Sequence, residues 1–468
     1  MEIKKFDLNI EKILEDWDTY HAIREVIANA IDEGIITQTR DMEILKDDGG
    51  KWHIRDFGRG LRCEHLTQKE NEEKLRSPII IGKFGIGLKD ALATFDRKGI
   101  KVIINSRYGD IRVSKSEKHG FENITTLHAV ISDPSDPNII GTDFVIEGCS
   151  DGDIDNAKNL FLIFSGDKVL EKTEYGDILE KSGDVARIYI NGVKVAEEYN
   201  FLFSYNITRP NSAIKKALNR ERTNVTRTAY SGSVRSMLLS CKDKTVAEKL
   251  VNDLKCHETG TIHDDVIWTD VSVYACRILN SFEKTVFLSP RDIVLSSNMV
   301  DEAIAGGYKI VTIPENIRER ISGMKDISGN IIRDLDKFHE EYIESFVYEF
   351  IDKEDMTITE REIFKMTDEI FSFIGGKPEK IVDIKISKTM RKESSDLHPV
   401  VGTWDGNRII VHRSRLANIK DYANTLLHET AHATSERPDI DRLFELELSS
   451  IIGIIVSKFI YEKLGIVM

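Results

Sequence analysis

Apolar positions in the first 165 residues switch between two periods. In DTYHAIREVIANAIDEG, residues 18–34, Ile23, Val26, Ile27, Ala30 and Ile31 recur at three- and four-residue spacing. That spacing predicts an amphipathic helix with Asp18 or Thr19 as N-cap. KWHIRDF, GIKVIINS and IIGTDFVIEG read as strands, and IIIGKFGIGLKDALATF reads as strand, glycine-rich loop and helix. Helices mixed with a largely antiparallel sheet predict an α+β sandwich over residues 1–165.

Farther on, VARIYINGVKVAEEYNFLFSYNI alternates β-branched and aromatic residues around an Asn-Gly pair, a hairpin signal. It opens a second α/β unit, 166–255, with helical patterns across 212–255. Residues 256–375 carry VFLSPRDIVLSS and YKIVTIPENI as strand-like runs, followed by a polar helical stretch from 331. In 376–468, EKIVDIKIS and NRIIVHRSRL read as strands ahead of the helix containing HETAH and a final apolar helix. The expected architecture is an α+β multidomain chain in four parts.

The 468 residues are 41% apolar and 31% charged, enough to build real cores. A net charge of −14 disfavours a general nucleic-acid coat. MEIKKFDLNIEKIL lacks an apolar leader segment, and IIGIIV is too short to span a bilayer, so a cytoplasmic protein with no membrane partner is expected. Cys63, Cys149, Cys241, Cys256 and Cys276 form no CxxC pair and read as reduced thiols.

Glu25, Asn29 and Asp32 share a polar helix face at i, i+4 and i+7. A carboxylate and an amide oxygen so placed suit water activation and Mg²⁺ binding. Asp56, at a strand end, can accept the exocyclic amine of adenine, while Gly58 and Gly60 admit a flat ligand. The GKFGIGL loop, with Gly82, Lys83, Gly85, Gly87 and Leu88, stands ahead of a helix and forms an anion cradle. Thr142 on a later strand can bond the adenine or Asp56. No GxxxxGK[ST] occurs, which excludes a P-loop.

The order ExxxNxxD, DxGxG, GxxGxGL and GT over residues 10–165 resembles the GHKL ATPase superfamily of gyrase B, MutL, the large heat-shock chaperone and histidine kinases. The resemblance implies Glu25 as general base or water-positioning residue, Asn29 as Mg²⁺ ligand, Asp56 as adenine selector and residues 61–88 as an ATP lid. The strand-rich region from 184 resembles the transducer domain of the gyrase and MutL branch. Its segment 208–236 holds seven basic residues against one acidic. Either this is a solvated or DNA-contacting face, or one of Lys215, Arg220 and Arg222 reads the γ-phosphate. Relatives in that superfamily imply an ATP-dependent homodimer.

HETAH fits HExxH. His428 and His432 lie four apart, facing one way on a helix to share Zn²⁺, with Glu429 placed as catalytic base. Glu447 shares a face with Ile440, Phe444, Ile451 and Ile454, so a carboxylate in an apolar stripe needs a positive partner. It is the expected third zinc ligand, with Glu445 as second choice. Residues 376–468 resemble compact gluzincin-type peptidase domains, which implies NRIIVHRS as the edge strand that receives an extended peptide. His412 is a candidate for stabilising the transition state. The combined expectation is an ATPase whose nucleotide state controls a zinc peptidase acting on protein or peptide substrates. The alternative is an ATP-driven clamp or chaperone whose C-terminal domain binds metal without proteolysis, DNA being a less favoured partner.

Overall fold

The computed structural model describes residues 4–8, 17–66, 80–81, 87–118, 124–218, 225–260, 262–392 and 400–465. The chain is α+β and forms two compact units, residues 1–278 and 279–468.

In the first unit, helix α1 (Thr19–Thr37) starts at Asp18, whose N–H donates to His21 Nδ1 at 3.1 Å. Ile23, Val26, Ile27 and Ala30 are buried as the spacing predicts, and Ile31 is half-buried. They pack with α2 (Gly87–Arg97) and α3 (Asp151–Lys158) in the same core as Ile54, Ile104, Phe144 and Ile146. The last four belong to an antiparallel sheet of β1 (Lys4–Asp7), β2 (Glu43–Lys46), β3 (Trp52–Arg55), β4 (Lys101–Ser106), β5 (Asp110–Glu117), β6 (Thr125–Ser132) and β7 (Thr142–Glu147). Its order is β1-β6-β5-β4-β7-β3-β2. One apolar face of the sheet is thus covered by helices, the arrangement that alternating burial demands.

A five-stranded sheet follows: β8 (Lys168–Lys172), β9 (Gly176–Glu180), β10 (Ala186–Ile190), β11 (Val193–Glu198) and β12 (Ser204–Ile207), ordered β11-β10-β12-β9-β8. The Asn-Gly pair makes the β10–β11 hairpin, with φ of 48° at Asn191 and 79° at Gly192, the left-handed pair that a type I′ turn requires. Behind β12, the carboxylate of Asp265 accepts from the Tyr205 hydroxyl and from Leu202 N at 2.6 Å. Complete burial pushes that carboxyl up to about 6, the Tyr205 bond opposing it. The basic segment is partly neutralised. Arg227 meets Asp264 at 2.5 Å and lies over the Phe201 ring, and Arg235 meets Asp270 at 2.7 Å.

In the second unit, β13 (Thr285–Leu288) and β14 (Lys309–Thr312) pair in parallel. VFLSPRDIV is therefore not one long strand. Ser289 caps a helix by accepting from Asp292 N at 3.2 Å, with Pro290 in its first turn, a start signal hidden inside an apolar run. The last sheet joins β15 (Asp383–Ser387), β16 (Gly402–Trp404) and β17 (Arg408–His412) in the order β15-β17-β16. This corrects the expected edge strand. NRIIVHRS supplies β17, which is hydrogen-bonded on both sides, parallel to β15 and antiparallel to β16. The short β16, inside VVGTWDG, was missed because only three residues pair. Against this sheet pack α4 (Ile419–Ser435) and, beyond it, α5 (Arg442–Leu464). No helix among the described residues is long and apolar enough to cross a membrane.

Candidate functional sites

Along α1, the polar face divides its work. Buried Glu25 accepts at Oε1 from Arg24 Nη2 (2.8 Å) and Nε (3.1 Å), and that guanidinium lies over the Trp17 ring. Its other oxygen, Oε2, faces Gly87 at the start of α2 so closely that any Cβ there would overlap it. Asn29 Nδ2 donates to the Glu25 carbonyl at 2.9 Å. Asp32 is fully buried and accepts from Ile81 N at 2.7 Å, so it fastens the backbone that leads into the glycine loop.

Asp56 lies one residue past β3. Its carboxylate accepts from Gly58 N at 2.9 Å and from the Thr142 side chain. Burial, with Glu33 adding and the Gly58 amide opposing, lifts its pKa above the ordinary carboxylate value. Glu33 in turn binds Arg59 through N (3.0 Å) and Nε (2.9 Å), tying the end of α1 to the DFGRG segment. Gly60 has φ +86°. Gly141, the glycine of the GT element, lies directly on the Asp56 backbone, where a Cβ has no room. Leu88 is half-buried against the helical core. Gly82, Lys83, Gly85, Arg220 and Arg222 lie outside the described residues, while Lys215 is exposed on the helix Ser212–Ala217.

In the second unit, α4 presents His428 and His432 on one face with Nε2 atoms 3.3 Å apart. Asp439 Oδ1 lies 3.0 Å from the first and 3.1 Å from the second. These three residues form the group with metal-ligand spacing among the described residues. His432 Nδ1 lies 2.7 Å from the Arg437 carbonyl, which accepts from the Nδ1–H, fixes that tautomer and leaves the Nε2 lone pair facing the group. The His432 ring stacks on Phe444 at 4.3 Å, and His428 meets the same ring edge-on at 5.1 Å. Burial holds His428 below its ordinary pKa, with Asp439 opposing.

Asp439 comes from the turn between the helices. Helix α4 ends at Glu436 in left-handed conformation, and Asp441 N bonds the Pro438 carbonyl at 3.0 Å before α5 begins. Glu447 is not in the group. The packed face of α5 is Phe444, Leu448, Ile451 and Ile455, whereas Ile440 and Ile454 are exposed. The expected stripe was thus rotated from the real one, leaving Glu447 half-buried at its border and Glu445 exposed.

Glu429 is buried between α4 and β16. Burial, with Asp439 adding and the Trp404 amide opposing, pushes its carboxyl up to about 8. His412 lines a separate cavity of about 470 Å³ with Thr357, Glu360 and Lys388. Its ring nitrogens meet Lys388 O at 3.0 Å and Ser414 Oγ at 2.7 Å.

Residues 152–244 match the Mycoplasma pneumoniae MPN635 N-terminal domain family. An uncharacterised protein of Mycoplasma pneumoniae (strain ATCC 29342 / M129) is 38% identical over 246 residues, spanning 52% of this chain and 99% of that protein. The chain belongs to the family of that Mycoplasma protein. A second uncharacterised protein of the same organism is 26% identical over 343 residues, 66% of this chain and 93% of its own length. The MPN635-type match begins inside α3 and runs through the five-stranded sheet and the helix Arg227–Ser240, so it covers neither the Glu25–Gly87 contact nor the histidine pair.

Proposed function

We propose that this member of the Mycoplasma family is a GHKL-type ATPase whose nucleotide state controls a zinc peptidase. The observation that carries the peptidase half is the triangle of Nε2, Nε2 and Oδ1 at 3.0–3.3 Å. Donors about 2.0–2.1 Å from a tetrahedral zinc are separated by roughly 3.3 Å, so the donor set and its spacing fit that ion. His428, His432 and Asp439 would hold it, the Arg437 carbonyl orienting one imidazole. Bound Zn²⁺ supplies Lewis acidity and lowers the pKa of water toward neutrality. Glu429, one residue from a ligand and kept ionised by the charge that Zn²⁺ would add beside it, takes the proton of the attacking water and returns it to the leaving amine. The peptide aligns along β16, the sheet edge that passes Glu429.

In the other unit, the helix-covered antiparallel sheet and the Glu25–Gly87 and Asp56–Thr142 contacts support the ATPase reading. Glu25 orients and deprotonates the attacking water, with Arg24 fixing one oxygen. Asn29 holds Mg²⁺, and Asp56 takes the adenine amine. ATP also drives pairing of two such units.

One observation favours the non-proteolytic clamp as second reading: Glu429 is engaged by the Trp404 amide, as a purely structural carboxyl would be. The deciding experiment measures zinc content and cleavage of a peptide library, with and without ATP. Cleavage that disappears in Glu429→Gln while zinc is retained upholds the peptidase. Stoichiometric zinc with no cleavage of any peptide leaves the clamp.

A further inference from the structure

Helix α5 runs 23 residues, and its packed side ends with Lys458, whose ammonium reaches the Ser372 carbonyl. The opposite side carries Leu446, Ser449, Ile452, Gly453, Val456, Phe459, Ile460 and Leu464, all exposed. At about 100° per residue these fall on one stripe, with no charge inside it between Glu445 and Lys463. Phe459 is 61% exposed and Leu464 65%. The larger side chains offer roughly 600 Å² of apolar surface per copy, the most that a monomer normally leaves open. Two copies would bury roughly 1,200 Å², the lower end of specific interfaces. A helix that is apolar all round belongs in a protein interior or at an interface.

We infer that the occupant of this stripe is the same stripe of a second copy, packed antiparallel about a two-fold axis at the level of Ile454. The side-chain order is self-complementary only in that direction. Ser449 of one copy faces Phe459 of the other, small against large, and Ile452 faces Val456. Gly453 at the crossing lets the two backbones approach closely. Glu445 of each copy meets Lys463 of the other. Both are exposed, and neither has an ion-pair partner among the described residues. A parallel arrangement would set Glu445 on Glu445, Lys463 on Lys463 and Phe459 on Phe459. The antiparallel contact is isologous, so it closes at two chains. It needs no nucleotide and is separate from the ATP-driven pairing proposed above.

The test is the mass of the full chain in nucleotide-free buffer, by sedimentation equilibrium or light scattering at micromolar concentration. Twice 53.3 kDa is expected. Val456→Glu and Phe459→Glu, both at exposed positions, should each return the mass of one chain with unchanged helical circular dichroism. Glu445→Lys and Lys463→Glu should each weaken the dimer at least tenfold, and the two together should restore it. A wild-type chain that stays at 53.3 kDa overturns the inference, as does a dimer that survives Val456→Glu and Phe459→Glu. Failure of the double charge exchange to restore the dimer overturns the antiparallel packing.

Discussion

Gly402 on β16 lies against Glu429 of α4: a methyl group there would come within 2.7 Å of Glu429 Oε1 and 2.5 Å of Thr425 Cγ2. The strand can pass the carboxylate only because this position lacks a side chain. Gly402→Ala should therefore push β16 away from α4. Overpacking of this kind costs about 1–3 kcal/mol, a fall of several degrees in Tm. Differential scanning calorimetry should find the loss, and peptide cleavage should drop further than ATP hydrolysis. Unchanged cleavage would mean that the strand edge does not serve the reaction.

Metal content separates the two candidate acids. His428→Ala and His432→Ala should abolish zinc retention. Asp439→Asn should weaken it at least tenfold, about 1.4 kcal/mol. Glu447→Gln should leave it unchanged, because its carboxylate is outside the donor group. Elemental analysis after dialysis against a weak chelator gives the answer, and the reverse ranking would return the third position to Glu447.

In the first unit, Glu25→Gln keeps the size and the Arg24 contact but removes the proposed base. Bound nucleotide should persist while hydrolysis falls roughly 10²–10⁴-fold. Equilibrium binding measured alongside single-turnover hydrolysis distinguishes this from a folding defect. Loss of both together would assign Glu25 a structural role.

The Tyr205–Asp265 pair makes stability depend on pH in a stated direction. Asp265 has a folded pKa of about 6 against an ordinary 3.8, so the folded state holds its proton more tightly than the unfolded one. The group's relative stability is greatest below about pH 4 and is lost as pH rises toward 6. Tyr205→Phe removes the hydroxyl that satisfies the ionised carboxylate, raising the folded pKa further. Its cost should be about 1–3 kcal/mol at pH 8 and smaller at pH 5, where protonation relieves the carboxylate. Urea titrations at the two pH values check the difference.

Legibility of the chain followed local physics. The period of Ile23, Val26 and Ile27 and the cap before it located the start of α1 to within a residue, and the Asn-Gly pair located the β10–β11 hairpin, because each signal is contained in its own few residues. The i, i+4 spacing likewise placed His428 beside His432. Long-range relations were harder to read. Strand order is decided by partners far apart, so the likeness that implied NRIIVHRS as an edge strand missed the flanking β15 and β16. Asp439 was not linked to the histidines because a residue carried on a turn has no periodic neighbours to mark it. Glu447 was favoured because an apolar helix offers several plausible stripes, and only packing selects one. Asp32 was read as a cofactor-binding residue, and the contact its carboxylate makes with a backbone amide 49 residues on is one that no spacing rule reveals.

The bend that joins α4 to α5 supplies one donor and the helix before it supplies two. An ion held there would stitch the hairpin across its own connection, where the two arms otherwise meet through Phe444, Leu448 and Ile451. Loading and folding of that hairpin then become one equilibrium, and zinc at a hundredfold excess over its Kd would add about 2.7 kcal/mol. A cell starved of the metal would hold a looser, more readily degraded form of the chain, so micronutrient supply would set how long the protein lasts.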